Sequence, residues 1–285
     1  MPRIEVVRVG APVGAEIRGV DLAKGIDDAT FAEIDAALSA HAVIFLRDQR
    51  ITPEQQIAFS RRFGELEINA FNKYALPENP AVLVVSNIRK DGKDIGYADA
   101  GSHWHTDMSY TQRPPRLTML HAVEVPHKGG QPLGDTWFAS AGAAYDDLPA
   151  DTKRKLDGKR AIHRFAAKER GVKKPVPLTA EQIARNPDVI HPVVRTHPVT
   201  GRKVLYVRKG ECIGIEGMAE GEALPLIAEL SDRITRPEYI YRHKWKVGDL
   251  LMWDNALVQH WAPRDYEWPD RRLMLRTTVN GSVPF

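Results

Sequence analysis

Among its 285 residues the chain carries a single cysteine, Cys212. No internal disulfide can form, and the thiol reads as a small buried side chain. Also missing is any apolar run near the roughly 20 residues that a membrane-spanning helix needs. The opening MPRIEVVRVG has no apolar core of the signal-peptide kind, so the expected location is the cytoplasm, with no membrane contact. Charge of one sign is scarce as well. Lys and Arg number 40 against 37 Asp and Glu, a formal net charge of +3. No Lys/Arg block stands alone, which removes the electrostatic case for a nucleic-acid partner. Hydrophobic residues at 43% and charged residues at 27% exclude a disordered chain. These totals point to a globular protein and to no particular function.

Along the chain, Ile4 to Leu22 alternates around glycines and predicts two short strands. Phe31, Ile34 and Leu38 recur at helical spacing, with Asp28 or Thr30 as N-cap. Thr52-Pro53-Glu54-Gln55 has the spacing of a capping box with proline at the first helical position. From His103 onward, short strand-like runs separated by Gly, Pro, Asn and Asp dominate, including Leu117–Val125, Leu250–Trp253 and Leu273–Val279. Short helices around Ser140–Asp147, Asp151–Leu156, Thr179–Arg185 and Ala219–Ile234 interrupt them. Strands spread this evenly, without regular βαβ alternation, predict a mainly β fold with decorating helices, an antiparallel sandwich or jelly roll. No repeat or linker divides residues 1–285, which read as a single domain with a polar surface excursion or lid around 168–187.

Two stretches carry chemistry. In Ser102-His103-Trp104-His105-Thr106-Asp107, residues two apart share a strand face, so His105 and Asp107 can offer an imidazole and a carboxylate to one ion. A distant histidine would complete a facial triad that leaves three positions on iron(II) open. Taken alone, the pair reads more readily as a polar turn than as a metal site. His103, out of phase, reads as a neighbour of the site or a surface group.

The second stretch runs from Trp253-Asp254-Asn255 through His260 to Arg271-Arg272-Leu273-Met274-Leu275-Arg276. Here Arg272, Met274 and Arg276 share one strand face and the two leucines the other. Arginines on an inward face are costly unless anions meet them, and a guanidinium matches a carboxylate through two parallel hydrogen bonds. The competing reading is a solvent-exposed edge strand.

With these residues in view, the sequence resembles the taurine / 2,4-dichlorophenoxyacetate dioxygenase family of iron(II)- and 2-oxoglutarate-dependent oxygenases. The likeness includes Gly19-Val20-Asp21-Leu22, Phe63-Gly64-Glu65-Leu66, Trp104-His105-Thr106-Asp107, Asp135-Thr136, Leu205-Tyr206-Val207, Trp253-Asp254-Asn255, His260 and Arg272 to Thr277. The resemblance implies a double-stranded β-helix (jelly-roll) core and an enzyme that uses O2, Fe(II) and 2-oxoglutarate. It implies His105, Asp107 and His260 as metal ligands, Thr136 and Arg272 as holders of the cosubstrate's far carboxylate, and Arg276 as the group that meets an anionic substrate. Asn69, Phe71, Asn87 and Ser102 are further candidate pocket residues.

The chain departs from the family pattern in places. Gln131 to Gly134 separate Gly129-Gly130 from Asp135-Thr136, which the family usually joins directly. Asn69 stands where the taurine enzymes place a histidine, which disfavours taurine because an amide cannot become cationic. Arg208 follows Leu205-Tyr206-Val207, where asparagine is common, and is open between pocket and surface. The expected substrate is a small organic anion, a carboxylate or sulfonate. Hydroxylation beside an ether oxygen or a sulfonate would end in C–O or C–S cleavage. A homo-oligomer, dimer or tetramer, is expected from the same resemblance. The alternatives are a non-catalytic jelly-roll binding protein and a metal-dependent hydrolase using the same three ligands.

Overall fold

Strands Leu250–Asp254, Leu117–Glu124 and Leu273–Val279 show why this chain folds as two layers. Along Leu250–Asp254, Leu250 and Met252 join one hydrophobic cluster while Leu251 and Trp253 join another. The same alternation sends Leu117 and Met119 one way, and Leu120 and Ala122 the other. A strand buried on both faces must be apolar on both faces, which is how these runs read. The computed structural model describes residues 3–68, 73–98, 100–165 and 179–285, the Gln182 side chain excepted.

The large sheet has seven strands in the order Glu5–Arg8, Ala15–Arg18, Val43–Leu46, Leu250–Asp254, Leu117–Glu124, Leu273–Val279 and Leu83–Ser86. All neighbours are antiparallel except Ala15–Arg18 beside Val43–Leu46. A small sheet of Ile240–His243, Thr136–Ser140 and Val258–Trp261 lies across the inner cluster. Successive strands cross from one sheet to the other: Leu117–Glu124 in the large, Thr136–Ser140 in the small. The last four alternate likewise, from Ile240–His243 through Leu250–Asp254 and Val258–Trp261 to Leu273–Val279. That winding is a double-stranded β-helix, the jelly roll expected from the sequence.

Helices Asp28–His41 and Pro53–Arg61 cover the outer face of the large sheet through Ile34, Leu38, Ile57 and Phe59. The second helix starts on the expected capping box: Gln55 N donates to Thr52 Oγ1 at 3.3 Å and Thr52 N donates to Gln55 Oε1 at 2.9 Å. The first is capped one residue earlier than the sequence suggested, by Asp27, which accepts from Thr30 N at 2.8 Å. Helix Ala180–Arg185 falls inside the expected 168–187 excursion, while residues 168–178 of it lie outside the described residues. No helix among the described residues is long and apolar enough to cross a membrane.

Between the sheets, Phe138 packs on Trp253 with ring centroids 5.5 Å apart, and Trp253 on His260 at 4.7 Å. Trp245, Trp253 and Phe138 are the bulkiest fully buried side chains. Each such side chain removed from water contributes about 1.5–3 kcal/mol. The open end of this layered core holds the polar residues described next.

Candidate metal centre

The His105 segment reaches the core through its backbone. His105 N donates to His260 O at 3.0 Å and His260 N donates to His105 O at 2.8 Å, an antiparallel bridge at the edge of the small sheet. This reciprocal pairing sets the two imidazoles side by side, with centroids 4.1 Å apart. The expected strand does not continue. Only His105 pairs, and Asp107 opens a turn in which Met108 takes a left-handed φ of 48°. Asp107 therefore faces the histidines because the chain turns, not because of strand alternation. Ser109 Oγ donates to Glu211 Oε2 at 2.9 Å, and His191 Nε2 bonds Thr111 O at 2.9 Å, fastening that turn to neighbouring segments.

Asp107 Oδ1 lies 3.7 Å from His105 Nε2 and 3.9 Å from His260 Nε2. The three residues can each offer one donor atom, all within 4.8 Å of one another, the sole such group among the described residues. His105 Nδ1 is 2.8 Å from His103 O. A carbonyl only accepts, so this nitrogen carries the proton and Nε2 presents its lone pair to the centre. Burial pushes the His260 imidazole down to about 4 and holds His105 well below its ordinary value. Both rings are thus neutral near pH 7, the form that binds a cation. Burial alone would raise the Asp107 carboxyl; the Arg276 guanidinium beside it is the largest of the influences that outweigh burial and keep the group ionised. Two neutral nitrogens and one carboxylate, converging and dry, fit a divalent ion such as iron(II).

Behind Asp107 stands a chain of hydrogen bonds that the sequence did not disclose. Thr118 Oγ1 donates to Asp107 Oδ2 at 2.6 Å, Asn255 Nδ2 to Thr118 Oγ1 at 3.1 Å, and Trp253 Nε1 to Asn255 Oδ1 at 3.0 Å. The one signal available beforehand was a threonine between Leu117 and Met119, polar in the middle of a buried strand.

Arg272 and Arg276 come from Leu273–Val279 and the residue before it, and line one cavity together with His105, His260 and Thr136. The shared face is as expected, with Met274 in the inner core and Leu275 against the helices. Arg272 is 3% exposed, its Nε has no hydrogen-bond partner, and no acidic side chain among the described residues pairs with it. The rings of Trp245 and Tyr266 lie 6.0 and 5.9 Å from its guanidinium carbon. A buried cation in that state calls for an anion. Gly134, at φ +74°, sits so close that a Cβ there would lie 3.2 Å from Arg272 Nε. The Gln131 to Gly134 departure thus ends in a glycine where a side chain would crowd the clamp. Arg276 Nη2 is 2.9 Å from Asp107 Oδ1, and its Nε donates to Thr278 Oγ1 at 3.2 Å. Arg271 points away and pairs in two contacts, at 2.8 and 2.9 Å, with Glu124 at the surface.

The remaining candidates fare differently. Asn87 is not brought to the cavity as a substrate contact. Its Nδ2 donates to Asp270 O at 2.9 Å and its Oδ1 accepts from Arg272 N at 2.9 Å, so it holds the backbone of the clamp. Ser102 is exposed and uses its carbonyl for Trp261 Nε1 at 3.2 Å, while the neighbouring Gly101 lines the cavity. Asn69 and Phe71 lie outside the described residues. Arg208 is half-buried and near enough to depress the protonation of both histidines, though it lines an adjacent pocket. Cys212 is buried, as expected.

A jelly roll with two histidines and one carboxylate in its core, and a buried arginine beside them with no acidic partner among the described residues, defines a class: a mononuclear metal enzyme that also binds an anion. The pattern of the family described as "Taurine catabolism dioxygenase TauD, TfdA family" matches residues 5–278. The chain belongs to that family. It is 36% identical over 277 residues to an alpha-ketoglutarate-dependent 2,4-dichlorophenoxyacetate dioxygenase of Burkholderia sp. (strain RASC), covering 93% of this chain and 91% of that protein. It is 32% identical to a pentalenolactone F synthase of Streptomyces arenae, covering 93% and 91%. The crystal structure of AAD-2 in complex with Mn(II) and N-oxalylglycine superposes with a TM-score of 0.84 at 32% identity, covering 99% of this chain and 98% of that one.

Proposed function

We propose that this protein holds iron(II) on His105, Asp107 and His260, holds 2-oxoglutarate at its far carboxylate with Arg272 and Thr136, and hydroxylates a small organic anion oriented by Arg276. The enzyme is a 2-oxoglutarate-dependent dioxygenase, as its family and its named relatives are. Iron(II) with 2-oxoglutarate and O2 supplies the oxidising power, and the cosubstrate leaves as succinate and CO2. What the chain itself contributes is position: it supplies three donor atoms, anchors one carboxylate in a dry pocket and meets the substrate's charge beside the metal.

The observation that carries this reading is Arg272, buried and without an acidic partner among the described residues, in the same cavity as the two histidines. A hydrolase built on the same triad has no use for that cation, and a binding protein has no use for the neutral imidazoles.

The substrate class rests on Arg276, whose guanidinium lines the cavity with its Nη2 2.9 Å from Asp107 Oδ1. An aryloxyalkanoate fits that charge, and the Burkholderia relative is named for one. A sulfonate or another carboxylate presents equivalent oxygens. With an ether or sulfonate on the attacked carbon, the hydroxylated product would collapse by C–O or C–S cleavage. The reading also takes residues 1–285 as a single domain, in the cytoplasm where central metabolism supplies 2-oxoglutarate, assembled as a dimer or tetramer as the family resemblance implies.

The test is a panel of small carboxylates and sulfonates scored by succinate formation, repeated with Arg276→Gln. Losing one partner of a buried charge pair costs about 2–5 kcal/mol. The variant should therefore raise the KM for the preferred anion on the order of 100-fold, and far more than the KM for 2-oxoglutarate. Preference for an uncharged compound, or equal loss for both, would remove Arg276 from that role.

A further inference from the structure

The hydrogen-bond chain behind Asp107 runs in one direction only. An indole N–H can only donate, so the Asn255 group facing Trp253 Nε1 at 3.0 Å is its carbonyl oxygen. That fixes the amide, and the opposite end, Nδ2, donates to Thr118 Oγ1 at 3.1 Å. The Thr118 hydroxyl, already accepting, sends its own hydrogen to Asp107 Oδ2 at 2.6 Å. Thr106 Oγ1 donates to Asn255 O at 2.7 Å and Ala256 N to Asp254 Oδ1 at 2.8 Å, so the segment bearing the amide is itself held. Thr118 and Asn255 are 0% and 1% exposed, and water cannot substitute for either.

We propose that Thr118 and Asn255 are positioning residues that keep Asp107 a one-oxygen ligand. With Oδ2 committed to the hydroxyl, only Oδ1 faces the two imidazoles, at 3.7 and 3.9 Å. A carboxylate that binds through both oxygens takes up one more coordination position. A site that must seat a bidentate cosubstrate and O2 beside three protein ligands cannot spare it. Threonine at this strand position thus sets how many places the metal keeps open, without touching metal or substrate. The inference rests on Asp107 being a metal ligand in a 2-oxoglutarate-dependent site.

Thr118→Val keeps the shape and removes the donor. Asn255→Asp keeps the acceptor for Trp253 but cannot donate, so the hydroxyl turns away from Asp107. Metal retention is read by equilibrium dialysis with Mn(II). Cosubstrate affinity is read anaerobically from the visible absorption that appears when 2-oxoglutarate joins iron(II). Both variants should retain the metal and bind 2-oxoglutarate about tenfold more weakly, the scale of a lost partner to a metal ligand, and Thr118→Ser should restore wild-type binding. Wild-type 2-oxoglutarate affinity in Thr118→Val overturns the proposal. So does loss of the metal itself from both variants, which would make the chain a brace for metal retention only. If the unaltered protein shows no such absorption, the dioxygenase reading fails rather than this one.

Discussion

His260→Ala is expected to lose metal affinity by more than about 100-fold, exceeding the usual cost of losing a mere partner of a ligand, and to lose succinate formation with it. The backbone of His260 remains paired with His105 through both hydrogen bonds, so the bridge that shapes the site survives the substitution. What disappears is one of three donor atoms, together with the ring that packs on Trp253 at 4.7 Å and on Phe138 at 6.1 Å. Truncating a large buried side chain also costs about 3–5 kcal/mol in stability, so circular dichroism and a melting curve must show a folded variant before dialysis with Mn(II) is read. A folded His260→Ala protein that keeps wild-type metal affinity would remove His260 from the ligand set.

Arg272→Ala is expected to raise the apparent KM for 2-oxoglutarate between about 30-fold and a few thousand-fold, the equivalent of about 2–5 kcal/mol. The magnitude follows from burial: at 3% exposure the guanidinium is worth much more to a carboxylate than a surface arginine is. Arg271 provides the control one residue away. It pairs with Glu124 in solvent, and Arg271→Ala should leave the KM for 2-oxoglutarate within about twofold, as expected of an exposed pair. The measurement is succinate formation against cosubstrate concentration for both variants. Equal behaviour of the two would place the cosubstrate's anchor elsewhere.

The parts of this molecule that could be read from the sequence are those whose cause is local. Alternation in Leu250–Asp254 sends Leu251 and Trp253 inward because a strand has period two, and the neighbours across the sheet do not change that. The capping box at Thr52 is set within a few residues. Arg272 and Arg276 shared a face for the same reason. His105 and Asp107 came together as expected, yet by a turn at Met108 that period-two reasoning could not supply. Asn87 shows the opposite failure. An asparagine at a strand end looked like a pocket residue, but its amide is spent on the backbone of Asp270 and Arg272, far along the chain. Thr118 and Asn255 were illegible for the same reason: nothing in the sequence between them says that the hydroxyl of one meets the amide of the other.

The central claim is that one cavity binds iron(II) and 2-oxoglutarate together. The most direct measurement is an anaerobic titration of metal-free protein with iron(II) and then 2-oxoglutarate, recorded in the visible range. The account predicts a weak charge-transfer absorption that needs both additions, saturates at one cosubstrate per chain and is absent when succinate replaces 2-oxoglutarate. A folded protein that binds the metal and shows no such absorption would contradict it.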